Sequence, residues 1–101
     1  SGTAISLAES VQEGFKEIAK FSYREENKNK ARGKNEIGFA SIRGGDVIGE
    51  HTVYFFLNGE RIELKHMASS RKIFSVGALK AASWLHQKKA GLYTISDMLK
   101  E

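Results

Sequence analysis

Asn58-Gly59 stands between two runs of alternating character, HTVYFFL and ERIELKHM. A two-residue Asn-Gly link closes a tight hairpin because both central positions of the favoured turn need positive φ, which glycine takes freely and asparagine tolerates. Such a turn fixes the register, and the register fixes the face of every side chain on both strands. It pairs Leu57 with Glu60, Phe55 with Ile62, Val53 with Leu64 and His51 with His66. One face then carries Val53, Phe55, Ile62 and Leu64; the other carries Thr52, Tyr54, Phe56, Arg61, Glu63 and Lys65. The first reads as a core face. The second is too charged for a core and too aromatic for plain solvent. Aromatics rimmed by arginine are typical of contacts between chains, so Tyr54, Phe56, Arg61 and Glu63 are interface candidates.

A third strand-like run, Ile37 to Arg43, precedes the pair, and Gly44-Gly45 links it to Val47–Leu57. The expected sheet is an antiparallel three-stranded meander. Upstream, Ala4, Leu7, Ala8, Val11, Phe15, Ile18 and Ala19 recur at helical spacing, which predicts an amphipathic helix from about 3 to 21, weakened at Gly14 but not broken. Downstream, Ser69 or Ser70 caps a second helix whose apolar residues, among them Ile73, Phe74, Val76, Leu79, Trp84 and Leu85, wrap nearly the whole circumference. A helix apolar all round is buried on more than one side. Lys88 and Lys89 suit its C-terminal dipole, Gly91 is placed to end it, and SDMLKE predicts one last turn capped by Ser96. The fold class is α+β: a helix, the three-stranded sheet and a second helix, as an open-faced sandwich. One helix and three strands cannot easily surround the second helix, so a neighbouring element is expected.

Composition narrows the chemistry. A chain of 101 residues with 41% apolar content supports one small domain, and the absence of cysteine excludes disulfides, thiolate metal sites and cysteine nucleophiles. No apolar run approaches a membrane span, so a cytoplasmic setting without membrane contact is the expectation. The formal charge of +4 comes entirely from Lys16 to Lys34, where seven basic side chains face three acidic ones. Acids interrupt that stretch, and only Phe21 and Tyr23 lie near it for stacking on bases. It reads as a solvated loop and not as a nucleic-acid site.

Ser1, Gly2 and Thr3 sit at the tip of the first helix. Unsatisfied N–H groups there, with a partial positive charge, can hold an anion; Gly2 would allow close approach and Thr3 would add a hydroxyl donor. Plain helix capping by Ser1 or Thr3 is the competing reading. His51 and His66 oppose each other, but zinc needs a third ligand and only Glu50 or Asp46 is near in sequence, so no metal site is assigned. Arg43 and Asp46 flank a tight turn and are expected to pair across it. Ser69-Ser70 near His66 lacks an oriented acid or elbow turn, so no nucleophile is assigned.

SGTA at a helix start, RGGDVIGEHT, ASSR followed by a helix, GLY and DML occur in this order. Together they resemble the 4-hydroxy-tetrahydrodipicolinate reductase (dihydrodipicolinate reductase) family of the diaminopimelate route to lysine, and the resemblance covers essentially the whole chain. It implies a two-part enzyme: a Rossmann domain binding NADH or NADPH, and a C-terminal domain that binds the cyclic dicarboxylate substrate and builds a homotetramer. It implies substrate contact by Gly2 and Thr3, with Ser1 beside them. Arg71 and Phe74 match the interdomain hinge near the nicotinamide, against helix solvation and core packing as the plainer readings. The family's paired histidines and catalytic lysine precede SGTA, so no catalytic residue is expected within this chain. No G-x-G-x-x-G occurs, so neither nucleotide binding nor turnover is expected of the chain alone.

The expected division is therefore residues 1–68 for substrate binding and oligomerisation, and residues 69–101 as a hinge and helical segment that packs on the nucleotide domain. The competing functional class is a non-catalytic, self-associating module whose basic loop binds polyanions.

Overall fold

A computed structural model of the chain describes residues 1–16, 20–23 (by their backbone) and 35–101. The elements are α1 (Gly2–Gly14), β1 (Lys20–Tyr23), β2 (Glu36–Phe39), β3 (Gly49–Leu57), β4 (Glu60–Ala68), α2 (Lys72–His86) and α3 (Ile95–Lys100). They fall into two units, Ser1–Met67 and Ala68–Glu101. The fold class is α+β.

In the first unit, the Ser1 hydroxyl accepts the Ala4 amide at 3.2 Å and caps α1. The helix is shorter than its apolar spacing predicts. It stops at Gly14, and Phe15 turns extended while its amide still donates to the Val11 carbonyl. Glycine costs about 1 kcal/mol in a helix interior, enough to end a helix whose remaining stretch has a better use. That use is pairing: Lys20–Tyr23 form a strand, parallel to β2, with Lys20 opposite Glu36 and Tyr23 opposite Phe39. Ile18 and Ala19, and the basic loop from Arg24 to Lys34, lie outside the described residues.

The expected three-stranded meander is not formed. The strands make two separate two-stranded sheets, β1–β2 and β3–β4. The run from Ile37 to Arg43 keeps strand geometry only as far as Phe39, and residues 40–48 are irregular. Gly45 takes a positive φ of 54° in a turn, but its flanks diverge and do not pair. Arg43 and Asp46 form no ion pair across it. β2 pairs with β1 and not with β3, and the chain between Phe39 and Gly49 holds no strand, so the three-stranded layer of the expected sandwich is not formed among the described residues.

The hairpin does form. Gly59 adopts φ of 75° at the turn between β3 and β4, but Asn58 does not take a positive φ, so the turn is not the one with both central residues left-handed. Helix α1 lies on β3, where the Phe15 and Phe55 rings stand 6.1 Å apart. Ala8 is buried at 5% exposure, yet no large side chain among the described residues is fully buried. Helix α1 does not cover β4: Ile62 and Leu64, expected on a core face, remain 50% and 61% exposed.

In the second unit, Arg71, and neither Ser69 nor Ser70, is the N-cap of α2, and its side chain makes no capping bond; the Ser70 hydroxyl still accepts the Lys72 amide at 3.1 Å. The helix ends at His86, well before Gly91, so that glycine is not its cap. Thr94, not Ser96, caps α3. Its hydroxyl accepts the Asp97 amide at 3.2 Å, and its own amide donates to the Asp97 carboxylate at 2.8 Å. This reciprocal box satisfies two orphan donors at once, which a serine one residue inside the helix cannot do. The α2–α3 connection is held by aromatic and charged contacts. The Trp84 and Tyr93 rings meet edge to face at 5.5 Å. The Tyr93 hydroxyl donates to the Lys89 carbonyl at 2.7 Å. Lys88 lies 4.7 Å above the Trp84 ring and 2.6 Å from the Glu101 carboxylate. No described helix is long and apolar enough to cross a membrane.

Two glycines make opposite predictions. Gly59→Ala places a Cβ on a left-handed backbone and is expected to lower stability by roughly 1–2 kcal/mol in urea denaturation. Gly77→Ala, inside α2 with open space around the new methyl group, is expected to raise it by about 0.5–1 kcal/mol. A Gly59→Ala protein as stable as the parent contradicts the turn geometry.

The C-terminal clamp predicts a pH response. The hydrogen bond from Lys88, with a further donor in Trp84, holds the Glu101 carboxyl below its ordinary pKa. A depressed folded-state pKa gives a contribution present above the unfolded value and lost as pH falls through the folded one. Emission from Trp84, the single tryptophan, is therefore expected to change on the acid side of the usual carboxylate range. Glu101→Gln should abolish that change, and an unaltered acid transition in the variant contradicts the clamp.

Candidate functional site

The tip of α1 is built by its cap. Ser1 spends its hydroxyl on the Ala4 amide, and the Ser1 carbonyl accepts the Ile5 amide at 3.2 Å. The amides of Gly2 and Thr3 acquire no acceptor among the described residues, as the first turn of a helix dictates. No atom stands within 4 Å of where a Cβ on Gly2 would sit, so the approach to this backbone is open. Thr3 is exposed, and its hydroxyl makes no hydrogen bond among the described residues. Ser1 thus acts as the cap, while Gly2 and Thr3 present donors outward.

The mixed face of the hairpin is an ordered array. The Tyr54 and Phe56 rings stack with centroids 5.7 Å apart and planes 6° from parallel. The Arg61 guanidinium lies 6.0 Å from the Tyr54 centroid and 5.9 Å from that of Phe56. Its Nε donates to the Glu63 carboxylate at 3.3 Å, so one side chain bridges the aromatic pair and the acid. These contacts bring all four interface candidates together on one side of the strands. Glu50 was not foreseen there. Its carboxylate lies 2.7 Å from the Lys65 ammonium and raises the Lys65 pKa by that hydrogen bond. The missed signal is parity, since Glu50 shares its alternation with Thr52 and Tyr54.

The stacked rings remain open, with Tyr54 50% and Phe56 65% exposed. A cleft of about 600 Å³ runs between α1 and the strands, lined by Leu7, Val11, Phe15, Phe39, Val53 and Phe55 among others. His51 opens onto this cleft, whereas His66 is exposed. No group of three or more His, Cys, Asp or Glu among the described residues is placed to hold a metal ion.

Arg71 and Phe74 stand at the start of α2. The Phe74 amide donates to the Arg71 carbonyl at 3.0 Å, and both side chains are exposed. A guanidinium and an aromatic ring are therefore available within one helical turn. No other described residue is shown converging on them.

Residues 1–99 match the family model described as dihydrodipicolinate reductase, C-terminus. A 4-hydroxy-tetrahydrodipicolinate reductase from Pseudoalteromonas translucida is 46% identical over 98% of the chain, which covers 38% of that protein. The enzyme of the same name from Pseudomonas fluorescens is also 46% identical, again over 98% of the chain and 38% of its own length. That from Clostridium novyi is 48% identical over 99% of the chain and 39% of its own length. The chain thus spans about two fifths of the length of these curated relatives. With a family model matched over residues 1–99 and relatives 46–48% identical over nearly the whole chain, the chain belongs to the dihydrodipicolinate reductase family and corresponds to its C-terminal part.

Proposed function

We propose that the chain is the substrate-binding and oligomerising portion of an NAD(P)H-dependent 4-hydroxy-tetrahydrodipicolinate reductase acting in lysine biosynthesis. The observation that carries this reading is the family match across residues 1–99, which includes the open, donor-bearing tip of α1. At that tip, the Gly2 and Thr3 amides and the Thr3 hydroxyl bind a carboxylate of a cyclic dicarboxylate substrate. Such an anion gains from the partial positive charge of the helix end and blocks no other bond there. The ring is held by its carboxylates, which leaves its reacting carbon free.

Arg71 and Phe74 contribute one wall of the nicotinamide site, a guanidinium beside an aromatic ring. The dinucleotide supplies a hydride when bound; this chain supplies orientation of the acceptor. The proton donor and the nucleotide fingerprint belong to the rest of the enzyme, so the chain by itself gives no reductase turnover. The stacked Tyr54 and Phe56 with Arg61 and Glu63 form the contact between copies in a homotetramer. Rigid aromatics and a preorganised arginine are what a buried contact of this kind uses.

Thr3→Val in the whole enzyme is expected to weaken substrate binding by roughly 1–3 kcal/mol, the cost of a lost hydrogen bond to a charged group, with cofactor affinity unchanged. Steady-state kinetics and nucleotide titration read both. Unaltered KM and turnover would return Thr3 to a solvated helix residue.

Tyr54→Asp combined with Phe56→Asp is expected to convert the assembly into smaller species that keep the hairpin's circular dichroism. Light scattering coupled to size exclusion measures this. A parent chain that runs as a monomer at every concentration overturns the assembly role.

A further inference from the structure

We draw no further inference here: the strongest candidate, the apolar cleft between α1 and the β2 and β3 strands, carries nothing because nothing among the described residues shows what covers it.

Discussion

The pairing of β3 with β4 through Asn58-Gly59 decides which side chains can meet anywhere in the first unit. Gly59 at φ of 75° lets the backbone reverse in two residues, and the tight reversal leaves no slack in register. From that register follow the Tyr54–Phe56 stack, the Arg61 bridge to Glu63 and the Glu50–Lys65 pair, all on one face. The opposite face gives α1 its seat through Phe55 against Phe15. A slip of one residue would exchange the two faces, sending the charges toward α1 and the valine and phenylalanine toward the charged side.

What the hairpin does not provide is cover. A two-stranded sheet is marginal by itself, and here only Ala8 and Ala68 are buried apolar residues among those described. On α2, Ile73, Phe74, Val76, Leu79 and Leu85 are all exposed. Burying a side chain of that size contributes about 1.5–3 kcal/mol, so each exposed one represents stabilisation still to be gained from another surface. Matching only about two fifths of its relatives' length is consistent with that, because the remainder of such a protein offers surface for these side chains.

The sequence made the hairpin, its two faces and both long helices legible, since each rests on a local rule: a turn dipeptide, alternation, or helical spacing. It misled where partners are distant. The helix expected as far as about residue 21 overlaps Lys20–Tyr23, which instead pairs in parallel with β2, a contact no local pattern encodes. Gly44-Gly45 resembles a hairpin link, but a turn joins strands only if its flanks pair, and β2 is paired elsewhere. At α3 the sequence points to Ser96 as the cap, whereas the reciprocal bonds with Asp97 select Thr94. SGTA left capping and anion binding both open at the helix tip, and Ser1 does cap it, whereas the four-residue aromatic and charged array needed the register before Glu50 could be seen beside it.

We propose that α2 depends on a surface outside its own unit. Amide hydrogen exchange on the isolated chain tests it most directly. The account predicts weaker protection along Lys72–His86 than along β3 and β4, with protection of α2 rising when the chain is part of the whole enzyme. Protection of α2 equal to that of the hairpin in the isolated chain, unchanged on dilution, would contradict it.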